Sequence, residues 1–281
     1  MALDAEKIVT NVLKVAALPA VALKFSEAIK DPLTSNNDLE KIVSEDSALA
    51  AKVLMISNSA LFNFPSKIDT ISKAITIIGH KQLSEIILSC SIVAMFKDIP
   101  QDVIDMDMFW RHSISVATVS RILASSRREQ NIESFFTAGL LHDIGKLILF
   151  VEAPKYASEV ITKCAETDQM MYKVEKELLG FDHAKLGAML LKKWKLPDNI
   201  VAAVYYHHMP SIASGDIVTP GIIHIADIIT HALQFGSSGE NFVPTLNEKA
   251  WASLDLDIDI LGSVIEQLNV QHAEAVKFIL G

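Results

Sequence analysis

TAGLLHDIGKLILF, residues 137–150, places a histidine and an aspartate side by side in an apolar run that is typical of a helix. His142 and Asp143 can reach one ligand together only where the helix ends, because adjacent helical residues point in different directions. Gly145 permits such an ending and a close approach of backbone to ligand. The pair alone is more often a polar helix end than a site, so the rest of the sequence decides its interpretation.

Apolar residues spaced three and four apart recur along nearly the whole chain, as in Ile42, Leu49, Val53 and Ile56. This spacing is helical, and the strict alternation typical of strands is rare. Prolines divide the pattern into helices of roughly 10 to 18 residues. The sequence therefore predicts an all-α fold, a two-lobed helical bundle. The Gly/Ser-rich stretch 236–239 predicts a loop before a C-terminal helical hairpin.

An acidic, proline-broken stretch at residues 97–107 marks the predicted boundary between the lobes. We expect an N-terminal helical lobe at residues 1–100, a helical core at 101–235 and a C-terminal helical extension at 236–281. His80 is the only histidine before the boundary, and the other eight follow it. Imidazole is the commonest metal ligand in proteins, so this asymmetry assigns the candidate chemistry to the helical core.

Composition and charge exclude several classes of protein. The chain is 50% hydrophobic, yet it has no uncharged apolar run of 18 residues and its start lacks the order of a secretory signal. We expect a soluble, cytoplasmic protein that does not enter a membrane. A net charge of −9 and scattered basic residues argue against binding to a nucleic-acid duplex. Cys90 and Cys164 are expected to be buried free thiols.

Five further residues extend the His-Asp pair, although each has an ordinary alternative. His112 on an amphipathic helix is often a core histidine, and His183 after the predicted N-cap Asp182 is often solvated. His207 and His208 end an apolar helix, where imidazoles commonly offset the helix dipole. Asp227 interrupts an apolar run, and burying its carboxylate is costly unless it is paired or bound to a metal.

Together these residues predict a metal site rather than five separate coincidences. Carboxylate oxygen and imidazole nitrogen without thiolate suit one or two ions of iron, manganese, zinc or magnesium. In a dinuclear arrangement Asp143 bridges two cations, and the remaining ligands divide into His112, His142 and Asp227 for one ion and His183, His207 and His208 for the other. Asp143 and Lys146 are then the candidate catalytic residues, with Lys146 offsetting the charge of a phosphate.

His224 and His231 lie three residues before and four residues after Asp227, on one helical face. They can extend the site, but the favoured interpretation is that one hydrogen-bonds a ligand residue and the other is a surface residue. A bundle with structural histidines and no metal remains an alternative for the whole set.

Several motifs resemble the HDOD (HD-related output domain) branch of the HD metal-phosphohydrolase superfamily, from about Leu18 to His231. They are LPAVAL at residues 18–23, DSALAAKVL at 46–54, NSA at 58–60, GLLHDIGK at 139–146, HAKLG at 183–187 and WKLP at 194–197. Ser47 stands where that branch usually has proline. The resemblance implies an all-helical module of bacterial signal transduction, often without demonstrated catalysis and often with degraded metal ligands.

The ligand set of this chain is unexpectedly full for that branch and is similar to that of the related HD-GYP phosphodiesterases. The GYP motif is absent after His208, and Met108 stands where those enzymes can place a further acidic ligand. The resemblance therefore implies a regulatory module with a metal site that acts mainly through signalling proteins, with homo-oligomers allowed. The alternative is an active phosphohydrolase acting on a phosphate-containing small ligand, and the sequence leaves the choice open.

Overall fold

The structure is a computed structural model that describes residues 3–15, 18–59, 67–96, 104–240 and 242–280. These residues form α-helices, one short 3-10 helix and no strand, as the all-α prediction requires. The helices are α1 Ala5–Val15, α2 Ala20–Ala28, α3 Asn36–Ser44, α4 Ser47–Ser57, α5 Ile71–Ile78, α6 His80–Met95, α7 Met106–Ser126, α8 Ile132–Leu141, α9 Ile144–Glu152, α10 Pro154–Thr167, α11 Met171–Leu179, α12 His183–Lys193, α13 Asp198–Tyr206, α14 Val218–Leu233, α15 Glu248–Leu254 and α16 Ile260–Leu280.

The chain divides into two compact units. One unit, called here the histidine unit, comprises Met1–Ala17 and Asp98–Ile265; the other, the N-terminal unit, comprises Leu18–Lys97 and Glu266–Gly281. This division differs from the predicted ranges 1–100, 101–235 and 236–281, because α1 packs with α9 and α12 rather than with its sequence neighbours. Most of the predicted boundary, residues 97–103, and Ala60 of the predicted NSA segment lie outside the described residues.

In the N-terminal unit, α2 packs against α3 and α6, and α4 packs against α3, α5 and α6. The helix starts are encoded locally. Ser35 and Asp38 form a capping box on α3, and Asp46 accepts a hydrogen bond from the backbone of Leu49 at the start of α4. The apolar residues at helical spacing, including Leu39, Val43, Val53 and Ile56, form its core.

In the histidine unit, α7 packs against α8 and α14, and α12 packs against α9 and α13. These helices carry the candidate site. The 21-residue helix α7 begins at the N-cap Asp105, whose side chain accepts from the backbone of Asp107 and Met108. Asp182 caps α12 by accepting from the backbone of Lys185, as the sequence predicts.

In the part of the chain that the structure describes, one stretch, Ile132–Glu152, is long and apolar enough to cross a membrane by length and composition alone. Its apolar 18-residue window is 94% buried inside the fold, as in a core helix. The stretch is also divided between α8 and α9, with His142 and Asp143 at the junction.

A candidate metal centre

All seven predicted metal ligands are brought together within the histidine unit. His112 lies on α7, His142 and Asp143 lie between α8 and α9, and the first residue of α12 is His183. The other three follow α13 or lie on α14: His207, His208 and Asp227. Six of the seven are buried and His208 is half-buried. The sequence segments that carry them are far apart, so the packing of six helices builds the cluster.

The junction between α8 and α9 explains how Asp143 reaches its neighbours. Gly145 packs so closely against the backbone of His183 that a Cβ at position 145 would overlap the His183 carbonyl group. The first turn of α12 therefore lies directly against the start of α9. This contact brings the His183 ring to the Asp143 carboxylate.

The first group of ligands surrounds the Asp227 carboxylate. Asp227 Oδ1 lies 3.1 Å from His112 Nε2 and 3.7 Å from His142 Nε2. His142 Nε2 also lies 3.4 Å from Asp143 Oδ2, so this ring faces both carboxylates. One potential ligand atom from each of His112, His142 and Asp143 lies within 4.8 Å of the others.

The second group surrounds the other side of the Asp143 carboxylate. Asp143 Oδ1 lies 3.1 Å from His183 Nε2 and 3.9 Å from His207 Nε2. His208 Nε2 lies 2.8 Å from His183 Nε2, and one potential ligand atom from each of His183, His207 and His208 lies within 4.8 Å of the others. Asp143 thus faces ligand histidines with both of its oxygens.

Several atoms in the cluster are buried without a hydrogen bond, although other polar atoms are close. These atoms are His112 Nδ1 and Nε2, His142 Nε2, Asp143 Oδ1, His207 Nε2 and Asp227 Oδ1. Leaving such groups unpaired costs about 1–3 kcal/mol each. Ligand atoms bound to one cation are about 3–4.4 Å apart, since each is about 2.0–2.2 Å from the metal. The residues present therefore fit a cation with nitrogen and oxygen ligands.

Hydrogen bonds to the far side of three rings fix their orientation. His142 Nδ1 donates to the Gly139 carbonyl at 2.7 Å, and His207 Nδ1 donates to the Val204 carbonyl at 2.7 Å. Glu175 Oε2 accepts from both the backbone and Nδ1 of His183, at 2.8 and 2.7 Å. Each bond leaves Nε2 directed at the carboxylates, as in metal sites whose ligand histidines are held by outer hydrogen bonds.

Burial and charge set the protonation states of the cluster. Burial lowers the pKa of His112 to about 4 and that of His207 to about 3, so both are neutral near pH 7. Burial alone would also lower the pKa of His183, but the Glu175 carboxylate, with a further contribution from the nearby Asp143, raises it to about 10. A cation at this ring would have to displace its Nε2 proton.

The two carboxylates stay ionised despite burial. Burial would raise the pKa of Asp143, but His142 and Lys146 hold it well below its usual value. Burial would likewise raise the pKa of Asp227, but His231 and His112 hold this pKa well below its usual value. Two buried negative charges, with the neutral imidazoles of His112 and His207 nearby, favour a divalent cation.

Lys146 is buried and fully engaged. Its Nζ lies 2.8 Å from Asp143 Oδ2, donates to Ser238 Oγ at 2.9 Å and lies 3.9 Å from Glu240 Oε2. Burial would lower its pKa, but Asp143 and Glu240 raise it, so the side chain is an ammonium group. Lys146 therefore lies beside the candidate ligands. The sequence did not indicate its second acidic neighbour, Glu240.

The two remaining histidines of α14 have different roles. His224 holds the chain after α13, because its Nδ1 donates to the His207 carbonyl at 2.8 Å and its Nε2 accepts from the Asn247 backbone at 3.0 Å. Neither histidine is the expected surface residue, and His231 extends the candidate site: its side chain is 9% exposed and its Nε2 lies 3.3 Å from Asp227 Oδ1. His112, Asp227 and His231 form a third potential ligand group.

A family model of the HDOD domain matches residues 15–210. An uncharacterized protein of Treponema pallidum (strain Nichols) is 23% identical over 192 residues, which are 68% of this chain. The chain spans 37% of the length of that relative.

Solved structures of low sequence identity share the fold. An HDOD domain protein with unknown function from Geobacter sulfurreducens matches with a TM-score of 0.77 and 23% identity over 98% of each chain. A protein proposed to be a phosphohydrolase, from Shewanella amazonensis SB2B, matches with a TM-score of 0.76 and 23% identity over 97% of each chain. A protein from Marinobacter aquaeolei VT8, proposed to act in signal transduction, matches with a TM-score of 0.71 and 18% identity. The match covers 96% of this chain and 61% of the Marinobacter chain. With the family model covering most of its length, this chain belongs to the HDOD domain family.

Proposed function

We propose that this chain is a regulatory signal-transduction module whose histidine unit binds one or two divalent cations and which acts mainly through contacts with other signalling proteins. One observation carries the proposal: the candidate ligand cluster is largely closed, with only His208 half-buried. His112, His142, Asp143, His183, His207 and Asp227 are each at most 4% exposed. A catalytic metal site keeps a position open for substrate, whereas a closed site stabilises a conformation.

The residues divide between two cation positions. His112, His142 and Asp227 would hold one cation, with His231 as a further ligand, and His183, His207 and His208 would hold the other. Asp143 faces both groups through its two oxygens. The bound cations would supply positive charge that neutralises the buried carboxylates and would act as Lewis acids toward a phosphoryl oxygen.

The environment of Lys146 supports regulation over catalysis. Its ammonium group is shared by Asp143 and Glu240, and it donates to the fully buried hydroxyl of Ser238. A phosphate that used Lys146 would have to displace Ser238 and approach the Glu240 carboxylate. In this conformation the chain holds its own side chains where substrate would bind.

A turnover assay of the metal-loaded full chain tests the proposal. With simple phosphodiesters and nucleotides as substrates, we expect no hydrolysis that differs between the wild type and Lys146→Met. Turnover at enzyme-like rates, about 1 per second or more, that is lost in Lys146→Met would overturn it.

Metal-dependent phosphohydrolysis is the second candidate function, and the position of Lys146 favours it. This ammonium group lies 2.8 Å from the carboxylate that faces both ligand groups, where it can stabilise charge on a bound phosphate. The Shewanella protein of similar fold carries the same proposed activity, although at 23% identity the likeness concerns the fold alone. The same assay decides between the two functions.

A further inference from the structure

Residues 236–240 form a short segment, called here the closing loop, that follows α14 and contacts three helices of the histidine unit. Its first contact is with α7. The backbone of Ser237 donates to the Met108 carbonyl at 3.0 Å, and Gly236 has a positive φ of 84°. A Cβ at position 236 would overlap the backbone of Met108 and His112, so the loop lies directly against the turn that carries a candidate ligand.

The second and third contacts are made by polar side chains that point inward. Ser238 is fully buried, and its Oγ accepts from Lys146 Nζ at 2.9 Å. Glu240 is 7% exposed; its Oε1 accepts from the Met171 backbone at the start of α11 at 2.6 Å, and its Oε2 lies 3.9 Å from Lys146 Nζ. The closing loop therefore contacts α7, α9 and α11.

These contacts indicate which kind of ligand could compete with the closing loop for Lys146. The Lys146 ammonium is a buried positive charge with three donors. Asp143 and Ser238 lie within hydrogen-bond distance of it, and the Glu240 carboxylate adds a longer ion pair at 3.9 Å. A phosphate group is a stronger partner than a serine hydroxyl because hydrogen bonds between two charged groups are short and strong. Phosphate and the Glu240 carboxylate cannot share Lys146 at low cost, since like charges repel strongly where water is excluded.

We propose that the closing loop and a small ligand bearing a phosphate group compete for Lys146, so that ligand binding releases Ser238 and Glu240 and frees the starts of α7 and α11. The inference rests on the proposed function, because it names the ligand class and the switching element of the same metal centre. The side chains of the loop act as a built-in occupant of the ligand position. Opening then changes the surface that a signalling partner meets.

The experiment compares the metal-loaded full chain with the double variant Ser238→Ala/Glu240→Gln, using inorganic phosphate as the probe. Calorimetry measures phosphate affinity, and hydrogen exchange detected by mass spectrometry measures protection of residues 236–240. We expect phosphate to lower this protection in the wild type. The double variant should bind phosphate about ten-fold more tightly, since hydrogen bonds to a charged group contribute on that order.

Glu177→Gln is the matched control, because Glu177 is an exposed acid on α11 that pairs with Lys163. It should leave phosphate affinity and loop protection as in the wild type. Phosphate that leaves the exchange of residues 236–240 unchanged, or that binds the double variant no more tightly than the control, would overturn the inference.

Metal content measured on the same samples separates this failure from that of the proposed function. Bound metal without any phosphate effect would remove only the closing-loop mechanism. Absence of metal from the wild type would instead remove the proposed function.

Discussion

Among the described residues, the histidine unit contains groups of potential metal ligands and the N-terminal unit contains none. In the N-terminal unit, Ser57 Oγ donates to the Val53 carbonyl and Ser59 Oγ to the Ile56 carbonyl, each at 2.7 Å and within one helical turn. In the histidine unit, ligand atoms from distant segments converge, and several of them have no hydrogen bond, including His142 Nε2.

This difference indicates which unit needs a bound cation for its stability. Polar groups bonded within one helical turn are satisfied as soon as the helix forms. Convergent imidazoles and carboxylates are costly to bury together unless a cation joins them. We therefore expect the histidine unit to depend on metal and the N-terminal unit to be indifferent to it.

Removal of metal is expected to have the largest effect. A chelator should lower the free energy of unfolding of the metal-loaded protein by about 4 kcal/mol if free metal had stood at about 1,000 times its Kd. Hydrogen exchange should accelerate in α7–α9 and α12–α14 and stay unchanged in α3–α6. Equal melting temperatures with and without chelator would break the comparison.

Gly145→Ala is expected to have the second-largest effect. The added methyl group would overlap the His183 carbonyl, forcing α9 and α12 apart at a cost of about 1–3 kcal/mol and weakening metal binding. Gly262→Ala is the control, because nothing lies within 4 Å of a Cβ there and the change should be neutral or stabilising. Denaturant unfolding of both variants tests this, and equal stability would contradict the close approach at position 145.

Glu175→Gln tests the support of a single ligand. Loss of the negative charge that orients His183 should raise the metal Kd by about 10- to 100-fold. Glu177→Gln, an exposed acid on the same helix, should leave the Kd unchanged. The measurement is a competition titration with a chelator of known affinity, and similar Kd values for both variants would show that Glu175 does not support the site.

The smallest effect is expected in the N-terminal unit. Asp46→Ala removes the cap of α4 and should lower the free energy of unfolding by about 1 kcal/mol. Asp46→Asn keeps a side-chain oxygen that can cap the helix, so it should retain most of the stability of the wild type. Metal content should match the wild type in both variants. A loss of metal from Asp46→Ala would mean that the two units do not differ as described.

Local signals in the sequence predicted the helices and the candidate site residues, but not how the helices pack. The N-cap Asp182 and the polar junction at His142 and Asp143 depend on neighbouring residues, so both were readable from the sequence. The helical period does not specify which helices pack together, so the sequence did not predict that α1 joins the histidine unit.

Residues that act across long separations were missed. Glu175 bonds to His183 from eight residues away, and Ser238 bonds to Lys146 from 92 residues away, and neither spacing corresponds to a local motif. His231 differs, since its spacing of four residues from Asp227 on one helix was a visible signal for a shared site. The sequence allowed this extension of the site but favoured a surface residue, because helix neighbours at that spacing are common on surfaces.

The central claim is that Asp143 links two groups of metal ligands within the histidine unit. Elemental mass spectrometry of anaerobically purified protein, compared with Asp143→Ala, tests it most directly. We predict one or two equivalents of iron, manganese or zinc in the wild type and a loss of metal in the variant. No metal in either protein, or equal metal in both, would contradict the claim and leave the histidines as structural residues.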